Sequence, residues 1–187
     1  MKKLPGIFAF AVTLVLFSGC GEKHEDDSKK NAEEFNESKF ENTGMEDDME
    51  FVIDAADGGM LEVKLGELAK TKATSAEVKE HAQHMIDDHS KANEELKALA
   101  AQKNITLPVD LSEEHKKDYD DLNEKSAEDF DKAYVKYMIK DHKKDIDKFE
   151  NEYNKGKDED IKKWASEKLP TLRHHLEMWE SVEKTVK

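Results

Sequence analysis

The sequence predicts an all-α protein built as a four-helix bundle, on three observations. Apolar residues recur at spacings of three and four along four long stretches, which is the period of an amphipathic helix. No stretch of useful length alternates apolar and polar residues as a half-buried strand must, and the chain has only three prolines. Charged residues make up 40% against 36% hydrophobic, which suits a narrow apolar core inside a polar surface. The formal net charge of −14 keeps such a surface soluble and repels phosphate backbones, so nucleic acid is excluded as a partner.

The chain begins "MKKLPGIFAFAVTLVLFSGC". Lys2 and Lys3 precede an apolar run over 4–17 and the small residues Ser18 and Gly19, the pattern of a secretory signal peptide over 1–19, too short for a comfortable membrane span. "LFSGC" resembles a bacterial lipobox. Cys20 is the only cysteine, and an exported cysteine without a disulfide partner is accounted for if it carries lipid. The expectation is a lipoprotein in the bacterial cell envelope, at the outer rather than the inner membrane, whose membrane partner is reached through acylated Cys20. Residues 20–45 then form a disordered acidic tether, in which Phe35 and Phe40 are the only large apolar side chains over 21–44. The bundle domain occupies 46–187.

The first helix is expected over 46–72, with a stripe of Val52, Ala55, Gly59, Glu62, Gly66, Ala69 and Ala73. Glycine inside a helix costs about 1 kcal/mol relative to alanine, so Gly58, Gly59 and Gly66 point to close approach by a neighbouring helix or a ligand. Glu62 lies in the middle of that stripe, either inward or turned to its rim. Thr74-Ser75-Ala76-Glu77 reads as a capping box opening the second helix. Its seam is Val78, Ala82, Met85, His89, Ala92, Leu96 and Leu99, and Asn104 closes it. A long crossover over 105–126 contains Pro108 and a short helix over 113–125. The third helix runs to about residue 154 with the stripe Phe130, Tyr134, Met138, His142, Ile146, Phe149 and Tyr153. The fourth starts near Asp158, with Ile161, Ala165, Lys168, Leu172, His175, Trp179 and Val182, and Pro170 is expected to kink it. Short first and last connections and a long middle one favour an up-down-down-up bundle, in which the second and third helices run parallel.

The pattern M-I-x-D-H-x-K occurs twice, as "MIDDHSK" over 85–91 and "MIKDHKK" over 138–144. On parallel helices the two copies bring His89 and His142 to one level. With His175 and Glu62, each of the four helices then offers one core-facing ligand group, which is how bundles build metal sites. Neutral imidazoles suit a transition-metal ion, and zinc, copper, iron and manganese are the candidates. Such binding competes with protons near pH 6.5, the ordinary histidine value. Asp88 and Asp141 are expected to hold imidazole N–H groups, and Met85 and Met138 to lie just outside the ligands as core filler or soft donors. The alternative is a non-catalytic envelope interaction or stress protein whose core histidines are structural. No Ser-His-Asp set, phosphate loop or deaminase pattern supports a catalytic assignment. Ile86 and Ile139 stand three residues before the seam histidines, where a di-iron site would need glutamate.

Three segments, "AQHMIDDHSKANEELKALAAQKNITLP", "DFDKAYVKYMIKDHKKDIDKFE" and "KLPTLRHHLEM", resemble the bacterial domain-of-unknown-function family 4142, in the family's order and over roughly 46–183. The resemblance implies a ferritin-like four-helix bundle in an exported protein of the outer-membrane type. It matches the family's Asp-His pairs to Asp88-His89 and Asp141-His142, and its late histidine to His175. The chain departs from the pattern at His81, in place of an aromatic, and at Ala127, in place of glycine.

The anchor is directly testable. Cys20→Ser should release the protein into the soluble fraction or leave the leader uncut, read by fractionation and immunoblot. A variant that stays membrane-bound at its mature size overturns the lipoprotein reading.

Overall fold

Short polar side chains start most of the helices by replacing missing backbone partners at their N-termini. Ser75 Oγ accepts from Val78 N, Ser126 Oγ from Asp129 N, Ser112 Oγ from His115 N, and the Asp158 carboxylate from Asp160 N and Ile161 N. The resulting elements are α1 (Ser28–Phe40), α2 (Glu46–Lys72), α3 (Ala76–Lys103), α4 (Glu113–Asn123), α5 (Ala127–Lys155) and α6 (Glu159–Val182). This computed structural model describes residues 27–186; the expected signal peptide and Cys20 lie outside them. Among the described residues no helix is long and apolar enough to cross a membrane.

Side-chain staples fix the topology. Asp131, at the start of α5, accepts from the backbone of Thr74 and Ser75 in the α2–α3 turn, at 3.0 and 2.8 Å. At the other end Asp48, in the first turn of α2, accepts from Lys157 N at 2.9 Å in the α5–α6 turn, and Lys103 at the end of α3 pairs with Asp158 at 2.6 Å. The order is therefore up-down-down-up, with α3 and α5 parallel. The crossover climbs the length of the bundle and lays α4 against α2 and α5. It is pinned midway by Asp57, which accepts from Ser112 N at 2.9 Å and pairs with His115 at 3.0 Å. That partnership holds the His115 pKa above and the Asp57 pKa below their ordinary values, against the opposing effect of burial.

The core is two apolar clusters separated by a polar level. One centres on Leu61, Leu65, Met85, Phe130, Tyr134, Met138 and Trp179, the other on Val52, Ile53, Leu96, Phe149, Ile161 and Leu172. Each fully buried large side chain contributes about 1.5–3 kcal/mol. Two of the glycines in α2 answer to α3. A Cβ on Gly66 would sit 2.8 Å from Ile86 and 3.0 Å from the Ala82 carbonyl, and one on Gly59 would sit 2.1 Å from Asn93 Oδ1. Gly66 lets the two backbones pack closely, and Gly59 makes room for the Asn93 side chain.

Several expectations change. Thr74 is not a cap; its hydroxyl donates to Asp131, and Ser75 caps α3. Tyr153 is exposed and Glu152 is buried in its place, while on α6 the buried line runs through Trp164 and Leu169 rather than Lys168. Pro170 lies inside α6 as expected, and it faces solvent. The largest difference concerns the expected tether, much of which is α1. Coil was expected because so few of its residues are apolar, but α1 docks through Ala32 and polar pairing instead. Buried Asn36 accepts from Thr106 N at 2.9 Å and donates to Thr106 O at 2.8 Å, so one amide satisfies both backbone groups of a crossover residue.

Asn36→Ala should therefore cost about 1–3 kcal/mol by leaving both Thr106 groups unpaired. A thermal melt followed by circular dichroism should show a midpoint several degrees lower. An unchanged midpoint would mean that α1 adds nothing to the fold.

Candidate metal centre

The polar level draws one polar group from each long helix. Glu62 comes from α2, His89 from α3, His142 from α5 and His175 from α6, with exposures of 1, 7, 0 and 1%. Glu62 is thus inside the bundle and not on its rim. The three imidazoles surround one point: ring centroids are 5.9 Å apart for His89 and His142, 5.2 Å for His89 and His175, and 5.5 Å for His142 and His175. One nitrogen from each ring lies within 4.8 Å of the other two.

Hydrogen-bond partners assign the protons. His142 Nδ1 is 2.9 Å from the Met138 carbonyl, which only accepts, so Nδ1 carries the proton and Nε2 is a bare lone pair. His175 Nε2 is 2.9 Å from the Asp88 carboxylate and donates to it, which leaves Nδ1 bare. His89 Nδ1 is 2.7 Å from Glu62 Oε2. With Glu62 ionised, His89 donates there, and its Nε2 is bare as well. His89 Nε2 then faces His175 Nδ1 at 3.3 Å, lone pair to lone pair. His142 Nε2 and Glu62 Oε1 are both buried with no hydrogen-bond partner, 3.5 Å from each other. Buried polar atoms left unpaired in this way cost stability unless something fills the gap.

These residues fit a metal ion. Three neutral nitrogens form an N3 donor set; Glu62, expected as a fourth ligand, sits instead 2.7 Å from the outer nitrogen of His89 and groups with Asp141 and Asp145. Tetrahedral bonds of about 2.0–2.1 Å place donor nitrogens about 3.3 Å apart, the separation of His89 Nε2 and His175 Nδ1. Without an ion the contacts close differently. Protonated Glu62 donates to His89 Nδ1, His89 Nε2–H donates to His175, and His175 donates to Asp88; His142 Nε2 still has no donor.

Asp88 performs the expected task on His175 of α6 rather than on its sequence neighbour. Asp141 does not hold an imidazole. It joins Glu62 and Asp145, one oxygen from each lying within 4.8 Å of the others. Burial first, and then the neighbouring carboxylates, raise the pKa values of Glu62 and Asp145 well above the usual carboxylate range, and burial raises that of Asp141. Asp145 was missed in the sequence; its signal was the i,i+4 spacing from Asp141, hidden among the many Asp and Lys residues of α5. Met85 and Met138 are fully buried in the apolar cluster, and Met138 meets the site through its carbonyl. His84 and His174 are exposed, and His81 packs on Trp179 at 5.6 Å.

A family model described as "Domain of unknown function (DUF4142)" matches residues 34–182. No curated protein matches the sequence. Among solved structures, a DUF305 fragment from Deinococcus radiodurans is similar with a TM-score of 0.66 at 13% identity, over 74% of this chain and 96% of that one. CopM is similar in its Cu(I)-bound and Cu(II)-bound forms, with TM-scores of 0.63 and 0.62 at 18% identity and the same coverage. At these identities the likeness is one of fold.

Burial keeps the three imidazoles neutral. It lowers the pKa values of His89 and His175 to about 4 and that of His142 well below the ordinary value. A group that protonates less readily folded than unfolded contributes stability that is complete above pH 6.5 and is lost as the pH falls toward the folded value. The competition with protons expected near pH 6.5 therefore moves down. Titration of the metal-free protein followed by NMR should show the His89 and His175 rings neutral from pH 7 to about 5 and protonated only toward about 4. Rings that titrate near pH 6.5 would be hydrated.

Proposed function

The chain belongs to the DUF4142 family, and we propose that it binds one transition-metal ion between its four long helices, through His89, His142 and His175, with Glu62 orienting His89. The observation that carries this reading is the convergence of three imidazole nitrogens: Met138 and Asp88 hold the outer N–H groups of His142 and His175, and Glu62, once ionised, holds that of His89. A site so oriented is short of a cation at its centre. Copper is the first candidate. Imidazole donors suit it, it heads the affinity order of the divalent first-row metals, and CopM, of similar fold, is a copper-bound protein. Zinc, iron and manganese are the other candidates. The lipobox-like "LFSGC" supports placing this centre in the cell envelope on acylated Cys20, where it serves storage, sensing or protection against the metal. A second reading rests on the relay from protonated Glu62 through His89 and His175 to Asp88: the level is then a structural hydrogen-bond network in an envelope protein that works by contact.

Metal analysis of the purified protein, followed by melts in EDTA and with each metal, separates the two. At a free metal concentration a hundredfold above the dissociation constant, the wild type should gain about 2.7 kcal/mol. His89→Ala, His142→Ala and His175→Ala should each abolish the gain, while His84→Ala and His174→Ala keep it. The structural network predicts that the three core variants lose the same stability with and without metal. If no metal moves the wild-type midpoint, the metal reading is wrong.

A further inference from the structure

We infer that the ion reaches this centre sideways, through a cavity in the wall of the bundle that Gly58 keeps open; the inference rests on the metal reading above. The other approaches are closed. His142 and His175 are sealed, and at the level of Met85, Tyr134, Met138 and Trp179 the core is fully buried. His89, at 7% the most exposed of the three rings, lies on the wall of a cavity of about 120 Å³ that all four long helices line. Glu62 and Asp145 share that wall. Half-exposed Gly58 lies one helical turn before buried Glu62 on α2, which sets an outer and an inner end.

Gly58 is the observation that packing leaves unexplained. A Cβ on neighbouring Gly59 would strike the Asn93 side chain, so that glycine makes room for a residue of α3. A Cβ on Gly58 would have nothing within 4 Å. Packing would accept a larger residue there, and one would remove the cost of about 1 kcal/mol that glycine carries inside a helix. What a larger side chain would take away is the open space. The volume corresponds to about four waters at roughly 30 Å³ each, room for an ion that keeps part of its hydration shell. The carboxyl groups of Glu62 and Asp145 supply oxygen donors where the shell must be shed. Phe51, Phe149 and Trp164 give the cavity an apolar patch, and of its charged lining residues Lys148 is paired with Asp54, Lys168 with Glu95 and Asp88 with His175. The device suits a small aquated cation and excludes one carried in a bulky chelate.

The test is the rate of metal uptake. Gly58→Leu and Ala92→Leu plug the cavity from α2 and from α3, so a folding defect in one leaves the other as the probe. Wild type and both variants are mixed with copper or zinc sulfate in a stopped-flow instrument, and release is followed into excess chelator. Both plugs should slow association and dissociation together by about tenfold or more, with the dissociation constant within about threefold of wild type, because the route changes and the ligands do not. Wild-type rates in the plugged proteins overturn the inference. If the wild type takes up no metal at all, the reading of the centre itself fails, and that failure is visible before any variant is compared.

Discussion

A helical bundle can carry ionisable side chains across its centre only if each is uncharged or is given a partner, because an unpaired charge in an apolar interior costs several kcal/mol. Here that constraint organises the whole molecule. Burial holds the imidazoles neutral and raises the pKa values of the carboxyl groups beside them. The outer N–H of His175 reaches a half-exposed carboxylate and that of His142 an uncharged backbone carbonyl, so neither ring is oriented by a charge buried in the dry core. The apolar clusters above and below then act as walls that exclude water from the level between them.

The rest of the architecture serves that level. Close packing of α2 on α3 at Gly66 brings Glu62 within reach of His89. Asp131 and Asp48 fasten the two helical hairpins to each other at opposite ends, which fixes the vertical register of α5 and α6 against α2 and α3. A one-residue slip in that register would turn the ligands about 100° away from one another. The donor set also straddles the seam between hairpins, with His89 on one and His142 and His175 on the other. An ion held there would couple the folding of the two halves.

Much of this was legible in the residues, because helical spacing alone places His89, His142 and His175 on apolar lines and Glu62 on a stripe of small residues. Connection lengths gave the helix directions. What spacing could not give was the partner of each side chain. Asp88 serves a histidine on another helix, Asp57 reaches His115 across the crossover, and Asp145 looks like any other acid on a charged helix. The helix α1 escaped notice for a related reason. Its docking depends on Asn36 meeting a loop backbone seventy residues away, and hydropathy does not register such a contact. The buried positions of Trp164 and Glu152 were likewise set by neighbours rather than by period.

The parallel course of α3 and α5 bears on the heptapeptide written twice. Neither of these helices packs closely on the other; α3 lies beside α2 and α6, and α5 beside α2 and α6, so the two copies stand on a diagonal. A half-turn about the bundle axis exchanges α3 with α5 and α2 with α6. That operation maps the first hairpin onto the second with its chain direction order reversed, first helix onto last. A tandem copy of an ancestral hairpin would instead equate α3 with α6, and the repeat would have fallen there. The recurrence of M-I-x-D-H therefore follows the symmetry of the assembled bundle rather than the order of the chain. It is also a symmetry the site does not keep, since one aspartate faces an imidazole and the other faces two carboxyl groups. The same four letters, placed on opposite corners of one square, end as a nitrogen-rich side and an oxygen-rich side.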